Sequence, residues 1–373
     1  MPIPQEDLDR CLDRDHTVRV IISSNGPLPQ GNVAYAPLLA LEQTGFVFTP
    51  RELLHAIGCK TAALPSSARD ECLKVAWLYI DILDLEAPHL SFRGLYGSDL
   101  QISRSQEVGI GMMCLIAERY FGIPWDQLGP LPGQGKRFDY RGTNGTLNCI
   151  FESKGTSRRG KQRAQINNGL QKKDAHHARG ERFDVELIIS TYFGHDGDAP
   201  RILLADPDKK SLKELYGRGN DRYFRLKHYC RVLQYIGLPN SAFRLNLHAR
   251  EYLDNRRSIY RTILDEKSER GYLQSLFVAG DEFLGRWFDS WLPRDSIRYQ
   301  KLMEMHKHVS LNQITEGRMI FQGLRRDVYE SGLTAEPFSN PLLDKEERNK
   351  YRIYDQSGVS VFPDGTVMIF RQG

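Results

Sequence analysis

The 373-residue sequence predicts an α/β fold with a central α/β domain over about residues 96–210. An N-terminal α/β accessory segment (1–95) precedes it, and a mostly helical region (211–373) ending in a β-hairpin follows. Three observations lead there. Between Ser105 and Ala205, apolar runs of helix and strand period alternate as helix, strand, strand, helix, strand, strand, the pattern of helices layered on one sheet. From Ser211 onward the spacing turns helical, until Gly-containing turns cut the tail into short strand-like runs. A hydrophobic fraction of 40% and a charged fraction of 26% belong to an ordinary folded chain and exclude bulk disorder or a fibrous repeat.

Taken in order, Val18 to Ser23 reads as a strand and Thr49 to Ile57 as a short helix with Pro50 at its first position. Arg69 to Leu85 carries apolar residues on most sides, a helix surrounded by neighbours. Gly94, Gly97 and Ser98 mark a loop, and Ser103 or Ser105 is placed to cap a helix that runs to Phe121 and stops at Gly122 and Pro124. Arg137 to Arg141 and Leu147 to Lys154 read as strands joined by the Gly142, Asn144, Gly145 turn. A basic helix from Lys161 to His177 follows, then strands at Asp184 to Tyr192 and Arg201 to Ala205. Helices are expected at Asp221 to Ile236, Arg257 to Glu269, Asp281 to Leu292 and Ser296 to His308, and strands at Arg352 to Tyr354, Val359 to Phe362 and Thr366 to Arg371.

Several function classes drop out. With 51 Lys and Arg against 47 Asp and Glu, the net charge of +4 is too mild to announce nucleic acid on its own. Met1 to Asp15 is acidic and broken by Pro2 and Pro4, so it forms no secretory signal, and the longest apolar run, Gly109 to Ala117, is about half a membrane crossing. The expectation is a soluble cytoplasmic chain without a membrane partner. Six scattered cysteines without a CxxC pair argue for reduced thiols and against zinc. Gly129 and Gly135-Lys136 miss the phosphate-binding loop spacing, and Gly109-Ile-Gly111 falls within a helix, where small residues permit close packing. The aromatics Tyr223, Phe224, Tyr229, Trp287, Phe288 and Trp291 have helical spacing and are expected in the core.

The sharpest local signal is Asp139, twelve intervening residues, then Glu152-Ser153-Lys154. Strand alternation puts Glu152 and Lys154 on one face, and Asp139 on the neighbouring strand can bring its carboxylate beside that of Glu152. Two adjacent carboxylates repel unless a cation sits between them, and oxygen-only ligands favour Mg²⁺, with Mn²⁺ able to substitute. A lysine beside them can orient or help deprotonate an attacking water and offset charge on a phosphate.

These residues, Phe138-Asp139 and Phe151-Glu152-Ser153-Lys154 behind a helix bearing Glu107, resemble the core of the PD-(D/E)XK nucleases, the restriction-endonuclease-like superfamily. The resemblance covers about 100 of the 373 residues, and Phe138 stands where the family name has Pro. It implies an α-β-β-β-α-β core in which Asp139, Glu152 and the Ser153 carbonyl hold the metal and Lys154 handles the water. A helix-borne acid, Glu107 with Glu118 as the alternative, would join them.

From Lys154 to Arg182 there are nine Lys or Arg against Asp174 and Glu181, so positive charge concentrates beside the candidate site. Arg158, Arg159, Lys161, Arg163, Lys172 and Lys173 are the expected phosphate contacts, with Gln165, which shares a helical face with Gln162, touching substrate or bracing the site. Gly155, Gly160 and Ser157 would let backbone approach phosphates, and His176-His177 is a weaker candidate. The sequence therefore predicts a Mg²⁺-dependent endonuclease acting on DNA, duplex above all. By resemblance it fits a restriction or anti-phage defence role, alone, as a homodimer or with a defence-complex partner. Two alternatives stay open: a nucleic-acid-binding or assembly subunit with a degenerate core, and an RNA-cleaving nuclease.

Overall fold

The computed structural model describes residues 10–62, 83–131, 138–205, 220–253, 273–289, 318–331 and 359–372, with breaks at 25, 27–34, 85–86, 93–97, 179–182, 196 and 363. The N-terminal part contains β1 (His16–Ile22), α1 (Tyr35–Thr44), β2 (Phe46–Phe48), α2 (Pro50–Thr61), β3 (Leu83–Asp84) and β4 (Ser91–Phe92). The middle contains α3 (Ser98–Phe121), β5 (Leu128–Pro130), β6 (Tyr140–Thr143), β7 (Asn148–Thr156), α4 (Lys161–Ala178), β8 (Val185–Tyr192) and β9 (Arg201–Ala205). The remainder contains α5 (Asn220–Tyr235), α6 (Pro239–Leu253), β10 (Gln274–Val278), β11 (Asp281–Asp289), β12 (Arg318–Arg325), α7 (Arg326–Ser331), β13 (Val359–Val361) and β14 (Thr366–Gln372).

Seven strands form one mixed sheet in the order β2-β1-β9-β8-β7-β6-β5. β7 and β8 run parallel, with Glu152 opposite Ile188, because helix α4 crosses over between them. Every residue of β8 is buried, as a Val-Glu-Leu-Ile-Ile strand between two neighbours and under helices requires. Alternation on β7 divides the core: Phe151 joins the cluster holding Met112, Leu115 and Ile116 of α3, and Ile150 joins the one holding Ile166 of α4. The N-terminal segment belongs to the same sheet, since β1 pairs in parallel with β9. Helix α2 starts on Thr49, whose hydroxyl accepts the Glu52 N–H while the Glu52 carboxylate accepts the Thr49 N–H, with Pro50 next.

The expected strands at 18–23, 147–154, 184–192 and 201–205 are present within a residue or two, and the Asn144-Gly145 turn forms with Gly145 at φ 87°. Ser103 and Ser105 are not caps, because α3 already begins at Ser98 and the Ser105 hydroxyl donates to the Gln101 carbonyl at 2.7 Å inside the helix. Asp139 lies just before β6, yet its N–H still donates to Phe151 O and its carbonyl accepts from Leu131 N–H, so it keeps a ladder position. The expected helix at 69–85 falls mostly outside the described residues, and its last residues form β3.

The largest correction concerns residues 211–373. Helix α5 matches the expected helix at 221–236, and α6 lies where the sequence predicts none. A five-stranded antiparallel sheet, β10-β11-β12-β14-β13, nevertheless dominates the described remainder, and residues 281–289 are strand. The cause is burial on both faces: Phe283 packs with Phe321, Val367 and Ile369, whereas Leu284 and Phe288 turn to other clusters, so apolar residues of both parities imitate helical spacing. A hairpin turn at Ala279-Gly280, both at positive φ (51° and 88°), precedes the strand. The expected elements at 257–269, 296–308 and 352–354, and Trp291, lie outside the described residues. Tyr223, Phe224 and Tyr229 are in the core as expected.

The second sheet is welded to the first. Phe288, Ile320, Phe362, Met368 and Phe370 join the main hydrophobic cluster with Leu53, Ile57 and Trp125. Through that seam runs a buried polar chain. The Lys60 ammonium donates to the carbonyls of Trp125 and Leu128 and contacts His228 Nδ1 at 3.0 Å, while His228 Nε2 meets Asp364 Oδ2 at 2.7 Å. His55 Nδ1 meets Ser360 Oγ at 3.0 Å beside it. Among the described residues, Cys11, Cys59, Cys114, Cys149 and Cys230 are not in disulfides. Among the described residues no helix is long and apolar enough to cross a membrane.

Candidate active site

A cavity of about 460 Å³ opens at the junction of α3, β6, β7 and α4, lined by Gln106, Ile110, Pro130, Leu131, Phe138, Asp139, Tyr140, Ser153, Lys154 and Lys172. Its floor exists because α3 crosses β7 at backbone contact. A Cβ on Gly155 would lie 1.5 Å from the Ser105 carbonyl oxygen, and one on Gly109 2.8 Å from the Gly155 nitrogen. The two glycines thus serve the helix–strand crossing that sequence spacing suggests for Gly109, and Gly155 faces a helix rather than a phosphate.

Asp139 and Glu152 converge as strand geometry predicts. Glu152 is fully buried, and Asp139 Oδ2 accepts from the Ser153 N–H at 3.3 Å. Lys154 Nζ lies 3.1 Å from Asp139 Oδ2 and 2.8 Å from Glu152 Oε1. Burial, then the neighbouring Asp139 carboxylate, pushes Glu152 above the usual carboxylate range despite the two lysines. Burial works against the Lys154 ammonium, but Glu152 and Asp139 outweigh it and hold its pKa above the ordinary lysine value.

Other expected residues have other places. Glu107 pairs with Arg104 at 2.6 Å, and neither it nor Glu118 lines the cavity; Gln106, one residue earlier, does. Among the described residues no group of three His, Cys, Asp or Glu is clustered as a metal cage. Lys173 is buried in an ion pair with Glu186 at 2.9 Å, so it faces the fold rather than a phosphate. Gln165 braces: it donates to the Gly155 carbonyl and accepts from the Ser190 hydroxyl at 2.6 Å, while Gln162 donates to the Ser190 carbonyl at 2.8 Å. Lys172 points at the carboxylates, 2.6 Å from Glu152 Oε1 and 3.3 Å from Asp139 Oδ1. Arg158, Arg159, Lys161 and Arg163 are all exposed at the start of α4.

Sequence reasoning missed two contributors. His176 is buried, and its Nε2 accepts the Phe138 N–H at 2.9 Å, which pins the residue ahead of Asp139; the adjacent His176-His177 pair had suggested only surface or phosphate roles. Arg201 of β9 donates to Gln162 Oε1, and burial followed by the nearby Arg159, Arg163 and Arg19 lowers its pKa. The basic surface at the start of α4 therefore extends to β9 and β1, strands no local window associates with α4.

No protein-family model, curated protein or solved structure matches this chain significantly.

Proposed function

We propose that this chain is a divalent-metal-dependent nuclease that hydrolyses phosphodiester bonds, with duplex DNA as its substrate. The observation that carries the reading is the convergence of Asp139, just before β6, and Glu152 of β7 on one point beside Lys154 at the edge of an open cavity. The α-β-β-β-α-β order from α3 to β8 supports it, because it is the order the PD-(D/E)XK resemblance implies around these motif positions. The exposed arginines at the start of α4 supply a surface for a polyanion.

The carboxylates fit a hard cation: both already gather a positive group, the Lys172 ammonium, at one position. Asp139 and Glu152 would hold a Mg²⁺ or Mn²⁺ ion there, with the Ser153 carbonyl the further ligand that the resemblance implies. Such an ion supplies Lewis acidity toward a phosphate oxygen and makes water more acidic. Lys154 stays within reach of the carboxylates to orient the attacking water and to offset charge developing on the phosphate. Gln165 and His176 act through other groups, holding β7 and Phe138 in place.

The test is cleavage of supercoiled plasmid with Mg²⁺, with Mn²⁺ and with EDTA. Wild type should nick or cut with either ion and stop with EDTA. Asp139→Ala should lose cleavage, and Lys154→Ala should lose cleavage while still binding Mn²⁺ in calorimetry. Plasmid binding without cleavage under every ion would establish a degenerate nucleic-acid-binding subunit instead, and cleavage of RNA alone would move the substrate.

A further inference from the structure

The Lys172 ammonium is more than a neighbour of the carboxylates. It lies 2.6 and 2.9 Å from the two oxygens of Glu152 and 3.3 Å from Asp139 Oδ1. Lys154 takes the other oxygen of Asp139 at 3.1 Å. Two ammonium groups thus match two carboxylates, and the chain itself supplies positive charge where an ion would otherwise be needed. The place between the carboxylates that a divalent ion needs is the place of Lys172 Nζ.

We propose that Lys172 is an internal cation that closes the metal position, and that it must withdraw from Asp139 and Glu152 before a divalent ion can bind. This rests on the reading of those two carboxylates as the metal-holding pair. An ammonium and a divalent ion cannot share the same oxygens, because like charges at contact distance repel strongly where water is scarce. Lys172 is able to leave: it arrives from α4 rather than from the strands that hold the carboxylates, its side chain is 18% exposed, and it lines the cavity. A lysine carries its charge on a flexible four-carbon stem, so withdrawal needs only rotamer changes. Once off the carboxylates it faces the space a phosphate would occupy. Ion binding and the release of a phosphate-seeking cation are therefore one event. Lys154 differs, because it sits two residues from Glu152 on the same face of β7 and stays beside the pair whatever lies between them.

Mn²⁺ titration calorimetry on the metal-free full chain tests this. Lys172→Met should bind Mn²⁺ at least about tenfold more tightly than wild type, and Asp139→Asn should abolish binding in both backgrounds. Equal affinity in wild type and Lys172→Met, abolished by Asp139→Asn, would overturn the internal-cation role and leave the metal site standing. Absence of binding in both, or binding that survives Asp139→Asn, would overturn the metal site and the role together. A second measurement uses wild type alone: acetylation of lysines by acetic anhydride, mapped by mass spectrometry. Saturating Mn²⁺ should speed labelling of Lys172 several-fold while Lys161, remote and exposed, stays constant. Unchanged labelling of Lys172 at saturating Mn²⁺ would overturn the proposal, even if Lys172→Met fails to fold.

Discussion

Glu152 and Asp139 share two lysines but not one environment. Glu152 is fully buried, and Asp139 is 32% exposed. Replacing Glu152 with Gln leaves two ammonium groups with only a half-solvated partner, and breaking a buried ion pair on one side costs about 3–5 kcal/mol when burial is complete. The lysines here keep some contact with water, so Glu152→Gln should cost about 2–4 kcal/mol in urea unfolding without metal. Asp139→Asn, whose partners solvent can reach, should cost about 1 kcal/mol or less. Equal losses would mean that solvent screens both alike. The pairing of these carboxylates was legible in the sequence because strand alternation and a single turn connect 139 to 152. Lys172 was readable only as one more basic residue. A helix that returns across the strands brings position 172 over position 152, and no local pattern encodes that approach.

At the scale of elements, α4 has two basic populations that its sequence presents as one run. Lys172 and Lys173 of its second half turn inward to carboxylates, whereas Arg158, Arg159, Lys161 and Arg163 at its start face solvent and meet Arg201 across the sheet end. The second group is already open to solvent, whereas Lys172 could join it only after leaving the carboxylates. If the chain binds duplex DNA as proposed, neutralising all four exposed residues should weaken binding for every sequence alike, and each lost phosphate contact should lower the slope of log affinity against log salt by about 0.9. Adding Arg201→Gln should lower it further. A slope unchanged between low and physiological salt in the quadruple variant would mean the duplex runs elsewhere. Elements β1, α2, α3, β7, α4, β8 and β9 were legible because each buries one face or is wholly interior; α1 and the short strands β2, β4 and β5 were not read, and β3 was read as the end of a helix. Strand β11 was not legible, since it buries both faces against different clusters and so loses the period of two that marks a strand.

For the whole molecule, the chain from Lys60 through His228 to Asp364 ties residues of α2, α5 and the β13–β14 turn into one buried network. Burial, then Lys60, lowers His228 from 6.5 to about 4. Burial lowers His55 to about 3 even though Asp364 acts the other way. The unfolded chain takes up these protons near pH 6.5, and the folded chain takes them up only at those lower values. Stability from this source is therefore complete above pH 6.5 and is lost as pH falls towards 4. Asp364, lowered to about 2 by His228 and Thr366 against its burial, loses its own contribution only below its ordinary 3.8. Asp126, pushed up to about 6 by burial, works in the opposite sense over the same range, so the readout is a difference. The urea midpoint should fall less from pH 6.5 to 4.5 in His228→Gln than in wild type, and an identical slope in the variant would exclude the network as a source. The same seam also governs timing. Strand β1 waits for β9, about 180 residues later, and the packing around α2 waits for the hairpin at 359–372. Contacts so distant along the chain make folding slow and late. A ribosome must therefore have made the first 205 residues before β9 can close on β1, and the sheet that carries the two carboxylates stays unfinished until then.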